Sequence, residues 1–139
     1  MEMAIDAARN VPRRPFGAVI ADPDSGELIC RGWNRSDVNP IWHGEIDAMN
    51  RLHEGPARDP SALILYSTAE PCVMCLGAIL WSGINTIVFG TSVETLMRLG
   101  FKQFRVSANE LIEKSFNTEC QLSGGVLERE CDRLFEDGR

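Results

Sequence analysis

The sequence predicts an α/β protein in which helices cover both faces of a central sheet. Three observations lead to this prediction. Short apolar, β-branched segments alternate with segments whose apolar residues recur at helical spacing. Turn residues such as glycine and proline separate these segments. The alternation of strands and helices is typical of helices packed on a sheet, and 139 residues suit one domain over residues 1–139.

The first third of the chain predicts a helix followed by an antiparallel hairpin. Residues 1–9 have the composition of a helix. Residues 14–22 and 27–34 are rich in apolar and β-branched side chains, and the turn sequence Pro-Asp-Ser-Gly separates them. This is the pattern of two adjacent antiparallel strands.

The middle of the chain alternates helix and strand. The predicted elements are, in order, a helix over residues 43–53, a strand over 61–67, a helix over 72–83 and a strand over 84–90. Gly55 and Pro56 are expected to end the first of these helices, and Pro71 precedes the second. Both helices therefore begin at a loop or a strand end, where α/β folds build their sites.

The last third predicts mainly helices. These cover residues 92–100, 108–115 and 124–137, with a weak strand or a loop near residues 101–106. In the final segment, one helical face is predicted to hold five apolar residues, Val126, Leu127, Cys131, Leu134 and Phe135. Its mixed charges are expected on a solvated face.

Charge argues against a nucleic-acid-binding protein. The chain carries 14 Lys and Arg against 20 Asp and Glu, a net charge of −6. Binding to RNA or DNA needs a lysine- and arginine-rich surface that releases counterions, whereas Arg13–Arg14 is the only adjacent basic pair. A small uncharged substrate is the favoured partner.

The apolar segments and cysteines point to a cytoplasmic protein. No apolar run approaches the roughly 20 residues of a membrane span, and the first residues lack the pattern of a secretion signal. Five cysteines, an odd number without such a signal, favour reduced thiols over a disulfide framework.

Cys72 and Cys75 form a C-x-x-C pair directly behind Pro71. Residues three apart on a helix lie on one face, so both sulfurs can reach a shared ion. The start of a helix also favours thiolate over thiol. Two thiolates with one imidazole favour zinc. Of the two histidines, His43 is expected to begin a helix and supply that imidazole, whereas His53 is expected to lie on the surface.

Three protein ligands would leave the fourth tetrahedral position to water, as in catalytic zinc sites, where the pKa of water falls toward about 7. Glu45, two residues after His43, is the predicted proton carrier. It can serve only in the first helical turn, because residues i and i+2 otherwise point apart. A redox-active C-x-x-C pair and a structural zinc site in an interaction module remain alternatives.

The H-x-E motif of His43 and Glu45, followed 29 residues later by P-C-x-x-C at Cys72 and Cys75, resembles the signature of zinc-dependent cytidine and nucleobase deaminases. The resemblance extends over residues 15–90. It implies a three-layer α/β/α sandwich with a central mixed sheet, the cytidine deaminase-like fold. It further implies that His43, Cys72 and Cys75 bind Zn²⁺, and that Glu45 moves protons while hydroxide attacks a ring carbon bearing an amine.

Within this family the chain looks most like the branch containing guanine deaminases and tRNA adenosine deaminases. Pro-Phe-Gly-Ala-Val-Ile and Arg-Gly-Trp-Asn are similar to the first hairpin of that branch. Asn34 falls where its members hydrogen-bond the base, which an amide can do as donor and acceptor. Residues 76–81, ending at Trp81, look more like guanine deaminases, and Trp81 is expected in packing or a dimer contact.

Further substrate contacts are expected at the mouth of the site. Phe16 and Trp42 are candidates to stack on a base, and the N–H of Gly44, a glycine as in fungal cytosine deaminases, is a candidate contact. Guanine deaminases place an acidic residue after the fourth strand, a region that holds Glu94 and Thr95 here.

These observations together predict zinc-dependent hydrolytic deamination of a small aminated heterocycle, with a purine base or nucleoside such as guanine favoured. Deamination of cytosine or of tRNA adenosine is the alternative within the family, and a non-catalytic structural zinc module is the alternative outside it. The resemblance also implies a homodimer.

Overall fold

The computed structural model describes residues 1–138. The hairpin and helices of the first half lie where the sequence predicts them, within a few residues. The elements are α1 Glu2–Ala8, β1 Gly17–Ala21, β2 Leu28–Trp33, α2 Gly44–Glu54, a short 3-10 helix Pro60–Ala62, and β3 Ile64–Ala69. The second half consists of α3 Val73–Ser82, β4 Thr86–Thr91, α4 Val93–Arg98, α5 Ala108–Glu113, β5 Gln121–Ser123 and α6 Glu128–Asp137.

The strands form one mixed sheet in the order β2-β1-β3-β4-β5. β1 is antiparallel to both β2 and β3, whereas β3, β4 and β5 run parallel to one another. Parallel neighbours need a crossover, and α3 provides it between β3 and β4. The carboxyl end of β3 therefore leads directly into the C-x-x-C helix.

Helices cover both faces of this sheet, which confirms the predicted three-layer architecture. On one face α2, α3 and α5 pack on a core that includes Ala18, Ile20, Leu65 and Ile87. On the other face Cys131 of α6 lies against Gly90 of β4. Ile87 and Gly90 point to opposite faces because side chains alternate along a strand.

The helix that carries His43 and Glu45 lies unusually close to the sheet. A Cβ built on Gly32 of β2 would lie 2.3 Å from the backbone nitrogen of Ala48 and 2.4 Å from the carbonyl oxygen of Gly44. Both atoms belong to α2, so any side chain at Gly32 would push this helix outward. The glycine at position 32 of β2 therefore allows the first turn of α2 to pack this closely on the sheet.

The C-terminal third differs from the prediction in two places. Residues 121–123 form β5, a strand that the sequence pattern does not predict, while the 101–106 segment, predicted as a weak strand or a loop, is a loop. α6 begins only at Glu128, after Leu127 with a left-handed φ of 50°. Val126 and Leu127 are 36% and 37% exposed, so the predicted apolar face is wrong at these two residues.

Cys131 and Phe135 are fully buried, which confirms the predicted apolar face at these two residues. The left-handed residue before α6 interrupts the helical phase, and residues upstream of it cannot continue the same stripe. Among residues 1–138, none of the helices combines the length and apolar character that crossing a membrane requires.

Candidate functional site

His43, Cys72 and Cys75 converge where two helices begin. His43 is the N-cap of α2 and Cys72 is the N-cap of α3, both with extended backbone, and Cys75 lies in the first turn of α3. The Nδ1 atom of His43 is 3.7 Å from the Sγ of Cys72 and 3.6 Å from the Sγ of Cys75. All three candidate ligand atoms lie within 4.8 Å of one another.

These distances fit a tetrahedral zinc ion. Zinc bonds of about 2.3 Å to sulfur and about 2.0 Å to nitrogen, at tetrahedral angles, place a sulfur and a nitrogen ligand roughly 3.5 Å apart. The observed separations of 3.6 and 3.7 Å are close to that value. The approach of one imidazole nitrogen to both sulfurs favours a metal site over a redox-active cysteine pair, which needs no histidine at this position.

The electrostatics of the site favour a thiolate at Cys72, the form that a metal requires. A hydrogen bond from the Cys75 thiol, with help from the His43 ring, lowers the pKa of Cys72 to about 4. The same hydrogen bond and burial raise the pKa of Cys75. The hydrogen bond with Cys72 raises the pKa of His43. Binding of a divalent cation would displace the proton from Cys75 as well, because metal ligands must be deprotonated.

Glu45 lies beside these ligands and is nearly inaccessible, with 4% of its surface exposed. The hydroxyl of Ser67, on β3, donates a hydrogen bond of 3.2 Å to its Oε1. Burial, and then the negative charge of Cys72, raise the pKa of the Glu45 carboxyl. A buried carboxyl with a raised pKa takes up a proton more readily than a carboxyl in water, which suits a proton carrier.

A cavity of about 300 Å³ opens onto His43, Cys72 and Glu45. Phe16 and Asn34, predicted substrate contacts, both line it. Further lining residues are Arg13, Arg14, Ser36, Glu70, Phe101, Lys102 and Gln103. The cavity therefore joins the candidate ligands and the candidate proton carrier to residues from three distant parts of the chain.

Asn34 is held in one orientation at the cavity wall. Its Oδ1 accepts hydrogen bonds from the backbone N–H of Ser36 at 3.0 Å and from the Ser36 hydroxyl at 2.6 Å. The amide oxygen is thus occupied within the protein, which leaves the amide nitrogen as the group to meet a ligand. Phe16 packs against Phe101 and Phe135, with ring centroids 5.7 and 4.9 Å away.

Trp42 and Gly44 are not among the described residues that line this cavity. The indole N–H of Trp42 donates to Asp47 at 3.0 Å, and the guanidinium of Arg35 lies 4.7 Å from its ring centroid. A Cβ on Gly44 would be 2.7 Å from the carbonyl oxygen of Phe16, so a glycine allows α2 to begin directly against the strand region. Their predicted contacts with substrate stay predictions.

Two other predicted groups lie away from the metal ligands. His53 is exposed, and its Nδ1 lies 2.8 Å from the carbonyl oxygen of Met49, in line with the surface position expected for it. Glu94 and Thr95 belong to α4, and neither is among the described lining residues. Glu94 instead borders a separate surface depression with Arg105.

Glu70 is a structural residue of the site that sequence reasoning missed. It lies between β3 and Pro71 and is 7% exposed. Its two carboxylate oxygens accept hydrogen bonds from the backbone N–H of Val93 at 2.8 Å and of Ala108 at 2.7 Å. These are the first residues of α4 and α5. One carboxylate therefore holds both ends of the segment that brings Phe101 to the cavity.

Comparison with known proteins identifies the family. Residues 1–91 match the family described as the cytidine and deoxycytidylate deaminase zinc-binding region. The chain is 34% identical over 139 residues to a tRNA-specific adenosine deaminase of Haemophilus influenzae, covering 96% of this chain and 75% of that protein. It is 37% identical over 92 residues to a probable cytosine deaminase of Schizosaccharomyces pombe, covering 66% of this chain and 56% of that protein.

The same fold occurs in a guanine deaminase from Nitrosomonas europaea. That structure superposes with a TM-score of 0.82 at 25% identity, covering 99% of this chain and 81% of the other. The fold and the His-Cys-Cys group together define a zinc-binding α/β protein. This chain belongs to the cytidine and deoxycytidylate deaminase family. The predicted family and the predicted zinc cofactor are both confirmed.

Proposed function

We propose that this protein removes an exocyclic amine by hydrolysis from a small aminated heterocycle, with a purine base or nucleoside such as guanine as the favoured substrate, and releases ammonia. One observation carries the proposal: a buried carboxyl, Glu45, opens onto the same cavity as the metal ligands His43 and Cys72. A purely structural zinc site needs neither a cavity beside it nor an adjacent buried carboxyl group.

In this proposal His43, Cys72 and Cys75 hold the zinc ion, which when bound lowers the pKa of water toward about 7 and so supplies hydroxide at neutral pH. Glu45 manages the protons. It accepts a proton from water at a carboxylate oxygen and delivers it to a ring nitrogen. It then takes the remaining proton of the water oxygen, by now bonded to the ring carbon, and passes it to the amine, which leaves as ammonia. Its raised pKa suits a group that must act as both base and acid.

The size and the lining of the cavity support the proposal of a planar, base-sized substrate. Its volume of about 300 Å³ lies at the small end of the range for ligand pockets. Phe16 offers an apolar aromatic surface, and the amide nitrogen of Asn34 offers a donor to a ring acceptor. Gly44, through its N–H, and Trp42 remain proposed as further contacts.

The choice among guanine, cytosine and tRNA adenosine as the deaminated group rests on similarity to known proteins. The whole-chain likeness to a guanine deaminase structure supports a purine, whereas the relatives described as tRNA-specific adenosine deaminase and probable cytosine deaminase support the two alternatives. The net charge of −6 argues against a large RNA partner.

We also propose a cytoplasmic homodimer. Trp81 is 79% exposed and packs against Phe116, itself 64% exposed, with ring centroids 4.6 Å apart and the ring planes at 45°. Large exposed aromatic pairs are typical of protein interfaces. The molar mass in solution, measured by light scattering, tests this, and a monomer at micromolar concentration would rule it out.

The deciding experiment measures ammonia release and zinc content on the same sample. Guanine, guanosine, adenine, cytosine, cytidine and a tRNA are offered to zinc-loaded protein. Glu45→Gln is expected to retain one zinc per chain and to lower kcat by about 10²–10⁴-fold, the usual contribution of a positioned acid–base group. Glu54→Gln, the same change at the exposed far end of α2, is the matched control and should keep full activity.

Each outcome separates the candidates. Activity on guanine or guanosine supports the purine assignment, while activity confined to cytosine or to tRNA replaces it with the corresponding alternative. Fully zinc-loaded protein that releases no ammonia from any of these substrates would leave the structural zinc module as the better description.

A further inference from the structure

The mouth of the cavity carries a charge opposite to that of the protein as a whole. The chain has a net charge of −6, yet Arg13, Arg14 and Lys102 all line the cavity and all are exposed. We call these three residues the rim cations. The two acidic lining residues, Glu45 and Glu70, are buried. The cavity is therefore acidic at its depth and basic at its opening.

The rim cations come from two unrelated segments. Arg13 and Arg14 precede β1, whereas Lys102 lies in the loop between α4 and α5. The Glu70 carboxylate binds both ends of the segment 93–108, which contains α4 and that loop. Convergence of distant basic residues on one opening, in an acidic chain, gives a local positive potential that overall charge conceals.

The rim cations are also not engaged with carboxylates. Across residues 1–138, ion pairs join Arg9 to Asp6, Arg51 to Asp47 and Arg58 to Glu27. Within that described part of the chain, none of the rim cations has a carboxylate oxygen within 4.0 Å. Their charges are available to an anion that enters the mouth.

One rim cation is connected to the base-reading amide. The guanidinium of Arg14 donates a hydrogen bond to the Ser36 hydroxyl. The same hydroxyl donates to Oδ1 of Asn34 at 2.6 Å. An anion held by Arg14 would thus lie next to the chain of hydrogen bonds that orients Asn34.

We propose that the rim cations form an anion subsite that takes the phosphate group of a free nucleotide, a nucleoside monophosphate, while its base lies over Glu45. This inference rests on the proposed deamination and changes its favoured substrate from a base or nucleoside to a nucleotide. Guanidinium groups bind phosphate oxygens in pairs and Lys adds a point charge. A cavity of about 300 Å³ holds the base, and the exposed rim receives the phosphate outside it.

The test compares matched base, nucleoside and nucleoside 5′-monophosphate substrates in guanine, adenine and cytosine series. For the ring that is deaminated, kcat/KM should be higher for the monophosphate than for the nucleoside. Arg13→Gln with Arg14→Gln, and separately Lys102→Gln, should reduce this preference by about tenfold, the worth of one charge-assisted hydrogen bond. Added salt should reduce it too, because the rim is exposed.

Arg105→Gln is the matched control, since Arg105 is an exposed cation three residues from Lys102 and is not among the described lining residues. It should leave the preference unchanged. Thermal unfolding of each variant checks that the fold is intact. An unchanged preference in the rim variants, or equal loss with nucleoside and monophosphate, overturns the subsite.

A binding measurement separates this proposal from the proposed function. Calorimetric titration of zinc-loaded Glu45→Gln protein with nucleosides and their monophosphates needs no turnover. Tighter binding of a monophosphate that is lost in the rim variants supports the subsite even if no substrate releases ammonia. If an oligoribonucleotide binds through the rim cations while monophosphates show no advantage over nucleosides, the free-nucleotide proposal is wrong and a strand is the ligand.

Discussion

The metal centre and the rim cations face the same cavity but are constructed in different ways. The metal centre, His43, Glu45, Cys72 and Cys75, sits at the starts of two helices packed on the sheet, with Cys75 fully buried. The rim cations lie on connecting segments and are exposed. One region takes its geometry from the protein core, and the other from loops.

This difference implies that chemistry and substrate choice have separate determinants. Helix starts and buried contacts hold the metal centre to the precision that ligation needs. The opening depends on a few hydrogen bonds, two that the Glu70 carboxylate accepts and one that the Ser36 hydroxyl donates. Loops on a rigid scaffold are where binding specificity usually varies. Substitutions should therefore affect one region without the other, and three experiments test that separation.

The largest effect is expected from Cys75→Ser, which removes a buried thiolate ligand. The hydroxyl is a far poorer ligand for zinc than the thiolate. Zinc affinity should fall by more than about 100-fold. Losing a residue that only hydrogen-bonds to a metal ligand already lowers metal affinity by about 10–100-fold, and Cys75 is a ligand itself. Zinc content after dialysis against a chelator, measured by atomic emission, checks this, and ammonia release should disappear with the metal.

Cys30→Ser is the control for the same chemical change outside the metal centre. The Cys30 thiol donates to the carbonyl oxygen of Ala48 at 3.2 Å, and burial raises its pKa to about 11. This variant should keep its zinc. Equal zinc loss in both variants would contradict the assignment of Cys75 as a ligand.

The metal centre was predictable because two short motifs contain all its parts. The sequence spacing of Cys72 and Cys75 and the pairing of His43 with Glu45 are local properties, and each motif begins a helix that local signals also predict. The structure then needs only to bring two helix starts together. The same local signals place α2 and α3 within a residue or two of their observed bounds.

The rim and the C-terminal third were less predictable because long-range contacts define them. β5 has three residues and exists through parallel pairing with β4, as in Thr86 opposite Gln121. So short a strand has no visible periodicity. Lys102 belongs to the segment 93–108, whose two ends Glu70 binds, and no local sequence pattern reveals these two hydrogen bonds. A whole-chain charge cannot reveal a local reversal of sign.

A second experiment asks whether the metal centre depends on the close approach of α2 to β2. Gly32→Ala places a Cβ against backbone atoms of α2 that cannot turn aside. The free energy of unfolding should fall by about 1–3 kcal/mol, the usual cost of overpacking. Zinc affinity should fall with it because the displaced helix carries His43. Urea denaturation and a zinc competition assay measure the two effects.

Gly77→Ala is the matched control within the other metal-binding helix. A Cβ at Gly77 would meet nothing within 4 Å. Alanine should therefore be neutral or should stabilise α3 by up to about 1 kcal/mol, the difference in helix propensity. A Gly32→Ala protein as stable as wild type would show that α2 has room to shift, and that the core does not fix the metal centre.

The smallest effect, and the sharpest test of separation, is expected from Glu70→Gln. Glu70 adjoins Pro71 and Cys72 in sequence but binds the first residues of α4 and α5, Val93 and Ala108, on either side of Lys102. The amide keeps one acceptor oxygen and turns its NH₂ toward the other N–H donor. Losing one such bond costs about 1 kcal/mol. KM should rise by about fivefold, the equivalent of that free energy, with zinc content unchanged.

Glu110→Gln is the matched control. It makes the same change on α5, at a residue that, unlike Glu70, does not adjoin Cys72 in sequence. Glu110 accepts hydrogen bonds from the N–H and hydroxyl of Ser107 in a capping box, and glutamine also serves in that motif. KM and stability should both be close to wild type. If Glu70→Gln instead releases zinc while leaving KM unaltered, the carboxylate supports the metal centre rather than the opening, and the two regions share one determinant.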